Sequence, residues 1–146
     1  MLRFNGERWQ PISERRTASI NAVWVYSKED FVVAGSGGLL ERYSDGVWRS
    51  FSSNRTNEFT DIEGASPDRV FLVDKSNRLF SFDGENLIVS ERLDDRFSLS
   101  SLALGGDDEL VITGAVTNRE TVPRSDVGVE VSCGGVIAYS SLGYSR

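Results

Sequence analysis

The 146-residue sequence predicts an all-β fold in which one four-stranded sheet is repeated along the chain. Three observations predict it. Fourteen glycines against a single methionine mark a chain rich in turns and poor in helix. Apolar runs of about five residues, many of them β-branched, are bounded by acidic residues, Pro or Gly, which is the pattern of buried strands. One phrase, an aromatic residue followed closely by Asx-Gly, occurs at "RFNGERWQP" (Arg3 to Pro11), "ERYSDGVWRSF" (Glu41 to Phe51) and "SFDGENLIV" (Ser81 to Val89).

The repeat is visible when the chain is laid on itself. At a shift of 39, Ile20 to Tyr43 lies over Phe59 to Phe82, and a third copy opens at Leu99 to Gly114, displaced by 40 from the second. Val23, Ile62 and Leu102 then correspond, as do Phe31, Val70 and Leu110. The chain reads as a single repeat domain over 1–146, with copies at about 20–51, 59–92 and 99–142 and residues 2–12 as the closing strands of another copy.

Within each copy the elements come in order. The first strand alternates, as in "NAVWV". A four-residue turn follows ("SKED", "SPDR", "GDDE"), then the apolar run "FVVAG", "VFLVD" or "LVITG", suited to a strand covered on both faces. The third strand is "LLERY" or "RLFSF". The fourth begins after Asx-Gly and carries Trp9 or Trp48, with Leu87 in the second copy. A two-residue type I′ turn is expected at each Asx-Gly, because that turn needs positive φ at both central positions.

A period near 40 residues with four strands per copy is the signature of propeller blades, so the prediction is a β-propeller-like chain of about three four-stranded blades. Val23-Trp24, Ser27, Asp30, Val33, Gly35, Gly38, Tyr43, Gly46 and Trp48 together resemble bacterial β-propeller blade repeats. More distantly they are similar to photosystem II assembly factor-like and sialidase-type propellers. The likeness is fullest over the first copy, weaker over the second and partial over the third. It departs from the sialidase Asp-box, whose Ser-x-Asp-x-Gly-x-x-Trp spacing "SDGVW" compresses. The resemblance implies a fold and leaves the activity open, since this scaffold hosts lectins, enzymes and assembly factors.

Propellers hold about four to eight blades, so three do not close a ring alone. The phase of the repeats suggests that the N-terminal strands are lent to the chain's own last blade or to a neighbour's. "VSCGGVIAY" (Val131 to Tyr139) resembles "AGSGGLLERY" and is expected to bring the third copy to its third strand. A homo-oligomer is the favoured closure, with two chains forming a six-bladed ring. A piece of a longer propeller and an open assembly whose edge strands pair with a partner are the alternatives.

Composition removes several functions. The net charge of −6 and the absence of any basic run beyond "ERR" (Glu14 to Arg16) disfavour nucleic acid as a partner. With no histidine, His-based zinc sites and Ser-His-Asp or Cys-His nucleophile systems are excluded. Cys133 is alone, so no intrachain disulfide is expected. No stretch resembles a signal-peptide core or a membrane span. The expectation is a soluble chain, cytoplasmic by default, with no cofactor.

Roughly 17 residues between Gly114 and Gly134 exceed the repeat. They carry Arg119, Glu120, Arg124 and Asp126, groups able to bind a carboxylate or a sugar hydroxyl, or simply a solvated hairpin extension. Trp24 stands where the other copies have Glu63 and Ala103, so it either packs or stacks on a sugar face. Trp9 and Trp48 recur in register, which argues for blade packing. "GSGG" at Gly35 to Gly38 lacks the Lys-Ser/Thr and helix of a phosphate loop. "GGDDE" at Gly105 to Glu109 lacks the spaced oxygen ligands of a calcium loop, and Asp94-Asp95 lacks a partner constellation for glycoside hydrolysis. No nucleophile–base pair can be assigned, so an enzyme is disfavoured. The predicted function is a non-catalytic module mediating protein–protein assembly. The alternative is a lectin-like propeller binding a glycan through Trp24 or the polar loop.

Overall fold

A computed structural model describes residues 1–12, 18–51, 57–92, 97–105, 109–116, 129–132 and 135–141. These form fourteen strands and one 3-10 turn at Ser36–Gly38. Strands β1 (Leu2–Phe4) and β2 (Trp9–Pro11) make a two-stranded sheet. The second sheet holds β3 (Ile20–Ser27), β4 (Asp30–Gly35), β5 (Leu40–Ser44) and β6 (Val47–Ser50) in that order. The third repeats it with β7 (Phe59–Ser66), β8 (Arg69–Asp74), β9 (Arg78–Phe82) and β10 (Leu87–Arg92). The fourth contains β11 (Phe97–Leu104), β12 (Glu109–Val116), β13 (Val129–Ser132) and β14 (Gly135–Ser141). All pairings are antiparallel.

The predicted register is the observed one. Val23 pairs with Val33, Ile62 with Leu72 and Leu102 with Ile112, so the three copies superpose strand for strand at their inner ends. The apolar second strands β4 and β8 are buried because each is covered on both faces, with Val32, Val33, Val70 and Val73 fully enclosed, whereas β12 alternates, Leu110 and Ile112 buried and Thr113 exposed. Burying such a side chain contributes about 1.5–3 kcal/mol, so these central strands dominate the stability of each sheet.

The sheets stack face to face. Ala22, Trp24, Val32, Ala34 and Leu40 of the second sheet meet Phe59, Ile62, Val70, Leu72, Phe80 and Phe82 of the third in one core. Phe71, Val73 and Leu79 meet Leu99, Leu102, Leu110 and Ile112 in the next. Polar groups fix the stacking. The Asn21 side-chain amide donates to the Phe59 carbonyl at 2.9 Å. Asp61 Oδ2 accepts the Leu102 amide at 2.8 Å and the Ser101 hydroxyl at 2.6 Å. Asn77, held at φ 57°, accepts the Leu99 amide at 3.2 Å.

Two expectations are corrected. A two-residue type I′ turn forms only at Asp45-Gly46, where both φ values are positive (51° and 83°). Asn5 to Arg8 and Asp83 to Asn86 are four-residue loops instead. Their Asx side chain accepts the amides two and three residues on: Asn5 Oδ1 from Glu7 and Arg8 at 3.0 and 2.9 Å, Asp83 Oδ1 from Glu85 and Asn86 at 2.9 and 2.6 Å. An acidic or amide side chain facing two free amides favours this cap over a tight turn.

The second correction concerns the fourth sheet, whose strand order is β11-β12-β14-β13. Residues 135–141 do supply the third-strand position, but the outermost strand precedes them in sequence and comes from the segment read as an insertion. Leu110 pairs with Ser140, where Phe31 pairs with Tyr43. Tyr139 therefore pairs with Val111, one place from the position its likeness to Tyr43 suggested. Four strands are described in this sheet, and β1 and β2 pair with each other in a separate one.

Candidate functional site: an unfilled half-sheet at the N-terminal end

The repeat allows one position to be compared in different surroundings. Ile62 and Leu102 are 4% and 6% exposed, each covered by the preceding sheet, whereas Val23 at the same place in the second sheet is 51% exposed. Phe82 is 1% exposed, and Phe4, two copies earlier at the same place, is 50% exposed. Identical roles in the pleat thus meet solvent only where a neighbouring sheet is incomplete.

The incomplete neighbour is the β1–β2 pair. It lies over the outer part of the second sheet, anchored by the Trp48 indole donating to the Ile12 carbonyl at 3.3 Å and by the Arg3 guanidinium donating to the Lys28 carbonyl at 2.7 Å. Under it Phe31, Tyr43 and Trp48 form an aromatic cluster, with Phe31 and Tyr43 stacked at 4.9 Å and Trp48 edge-on to Phe31 at 5.5 Å. Such pairs add about 0.5–1.5 kcal/mol beyond burial. The inner part of the same face, Val23 and Val25 on β3, has no cover among the described residues. Leu2, Phe4 and Trp9 add an exposed apolar surface on the far side of the pair, Phe4 and Trp9 touching at 5.4 Å.

The backbone shows which edge is open. Asn5 donates to the Arg8 carbonyl and Ile12 to the Met1 carbonyl, both at 3.2 Å. Hydrogen-bonded and non-hydrogen-bonded pairs alternate along an antiparallel ladder, so Leu2–Pro11 and Phe4–Trp9 are non-bonded pairs. The amides and carbonyls of Leu2 and Phe4 therefore point away from β2, toward the empty inner side. On the outer side the corresponding places are Trp9 and Pro11, of which Pro11 has no amide to offer.

Of the residues singled out from sequence, Trp24 is buried, 8% exposed, in the core between the second and third sheets. A Cβ built on Gly64 would stand 2.8 Å from its indole, so glycine there makes room for the ring. Arg119, Glu120, Arg124 and Asp126 lie outside the described residues, as do Glu14 to Arg16, Asp94-Asp95, Cys133 and the middle of "GGDDE". The open face over Val23 and Val25 was missed in the sequence, although the apolar alternation of "NAVWV" carried the signal. No group of His, Cys, Asp or Glu suited to a metal ion occurs among the described residues, and no described helix is long and apolar enough to cross a membrane.

These sheets define a β-propeller fold, of which the chain forms a segment. Solved structures agree. The chain is similar to YCF48 from Cyanidioschyzon merolae, with a TM-score of 0.68 and 12% identity over 94% of this chain and 43% of that one. It is also similar to YCF48 bound to D1 peptide, with a TM-score of 0.57 and 13% identity over 97% of this chain and 57% of that one. The chain thus spans about half the length of these propellers. No protein-family model matches the sequence, and no curated protein does.

Proposed function

We propose that this chain is a non-catalytic propeller segment that binds a protein partner and serves in assembly. The observation that carries the reading is the exposed Val23 beside its buried counterparts Ile62 and Leu102. Exposed apolar surface built into a repeat, at a place where the repeat itself buries it, is costly in water and marks an interaction site. The structural neighbour bound to D1 peptide supports a polypeptide as the ligand class. Arg119, Glu120, Arg124 and Asp126 would add polar contacts to the same partner, since guanidinium–carboxylate pairs orient such interfaces.

The test is purification of the tagged chain from its own cells, identification of any stoichiometric polypeptide and reconstitution from the two purified components. A complex of fixed stoichiometry is expected. A chain that stays alone under mild crosslinking and binds no purified candidate overturns the reading.

A further inference from the structure

The loop joining β1 to β2 holds a reactive pair that protein binding does not use. Asn5 is followed by Gly6, and its side-chain carbonyl accepts the Glu7 and Arg8 amides at 3.0 and 2.9 Å. We infer that Asn5 is a site of self-modification, where the folded loop promotes loss of the side-chain amide and converts the residue to aspartate.

The step needs a nucleophile, a polarised carbonyl and a leaving group. The nucleophile is the main-chain nitrogen of Gly6, whose amide has no acceptor among the described residues. Gly6 also has no side chain to obstruct the approach. Its nitrogen attacks Asn5 Cγ and closes a cyclic imide. The N–Cγ bond forms, the Cγ–Nδ2 bond breaks, and Nδ2 leaves as ammonia with the proton lost by Gly6. Negative charge gathers on Oδ1 in the tetrahedral intermediate. The Glu7 and Arg8 amides already point at that atom, so they stabilise the charge as it develops.

Water then opens the imide. The same two donors polarise the Cγ carbonyl, whereas the Asn5 main-chain carbonyl has no donor among the described residues. Water therefore adds at Cγ. The bond from Cγ to the Gly6 nitrogen breaks, that nitrogen regains a proton, and the product is ordinary aspartate rather than the isomer with a lengthened main chain.

The repeat shows that this product fits. Asp83-Gly84 occupies the corresponding loop of the third sheet, and Asp83 Oδ1 accepts the Glu85 and Asn86 amides at 2.9 and 2.6 Å. A carboxylate thus makes the same cap as the Asn5 amide. Asp83, Glu85 and Asn86 are exposed although their sheet is packed against a neighbour on either side. Access of water to this kind of loop therefore does not depend on what lies beside β1. Asp45-Gly46 provides the contrast. In its tight turn the Asp45 side chain accepts the Ser44 hydroxyl at 3.4 Å and no main-chain amide among the described residues.

The test follows amide loss in the full chain by mass spectrometry and peptide mapping in mildly alkaline buffer, folded and in urea. Two isosteric variants, Asp83→Asn and Asp45→Asn, place the same Asn-Gly pair in the capped loop and in the tight turn, with folding checked by circular dichroism. Asn5 is expected to convert at least as fast in the folded chain as in urea, with aspartate as the main product. The introduced amide of folded Asp83→Asn should convert at least tenfold faster than that of folded Asp45→Asn, and the difference should vanish in urea. Slower conversion of Asn5 in the folded chain than in urea overturns the inference. So does a folded-state ratio between the two variants below tenfold, or the lengthened isomer as the main product.

Discussion

Gly64 and Trp24 offer the sharpest check on how the sheets are fitted together. Replacing Gly64 by Ala would place a Cβ 2.8 and 3.0 Å from two atoms of the Trp24 benzo ring and 3.1 Å from the Arg69 carbonyl. Ordinary carbon contacts begin near 3.5 Å, so the ring or the strand must move by several tenths of an ångström. The ring has little freedom, being enclosed between two sheets with Ala22, Val32 and Ile62 in the same core. Overpacking of this kind costs about 1–3 kcal/mol. The smaller unfolded-state entropy of alanine returns about 0.4–1 kcal/mol. Gly64→Ala should therefore destabilise by about 0–2.6 kcal/mol, with a midpoint of about 1.3 kcal/mol, when those two ranges are combined. Trp24→Phe shortens the side chain and withdraws the benzo atoms. In that background Gly64→Ala should be close to neutral, or slightly stabilising, with the Arg69 carbonyl as the remaining close contact. Urea denaturation followed by far-ultraviolet circular dichroism on the wild type, both single variants and the double variant gives the coupling energy directly. Equal costs of Gly64→Ala in the two backgrounds would refute the fit of indole against glycine, and with it the account of why Trp24 packs there.

The remaining predictions follow from single contacts. Asp61→Ala removes the acceptor of the buried Leu102 amide and should cost about 1–3 kcal/mol, read as a lower urea midpoint, while Asp61→Asn, which keeps an acceptor, should recover much of it. Gly46 sits at φ 83°, so Gly46→Ala should lower stability by about 1–2 kcal/mol, measured as a drop in thermal midpoint. The Asp83 carboxylate accepts the Asn86 and Glu85 amides, which hold its pKa below the ordinary carboxylate value. A group depressed in the folded state contributes stability that is present above its unfolded pKa and is lost as pH falls through its folded pKa. An NMR titration of the Asp83 carboxyl should accordingly show a midpoint below that of an unstructured Asp, and Asp83→Ala should remove the corresponding acid sensitivity of the β9–β10 loop.

Local information settled much of this protein in advance. The alternation of "NAVWV", the apolar runs "FVVAG", "VFLVD" and "LVITG", and the acid- or Pro-rich turns between them depend on residues close in sequence. The repeat registers them without ambiguity, so the inner three strands of the second and third sheets stand where the sequence placed them. The hairpin at Asp45-Gly46 was legible for the same reason: its chemistry is contained within four residues.

What depended on distant neighbours was decided only by the folded chain. Whether Asx-Gly closes a two-residue turn or a four-residue loop depends on the register of the flanking strands, and Asn5 and Asp83 used their side chains to cap the longer form. Trp24 could not be assigned to packing until Gly64 was seen opposite its ring. The order β14 before β13 in the last sheet reflects long-range pairing that no local pattern encodes. Most of all, the sequence gives Val23, Ile62 and Leu102 the same role, and only the stacking of sheets leaves Val23 in solvent. Periodicity determines which way a side chain points from its strand. What it meets there is a property of the tertiary structure, because the covering atoms come from residues about forty places away in the sequence.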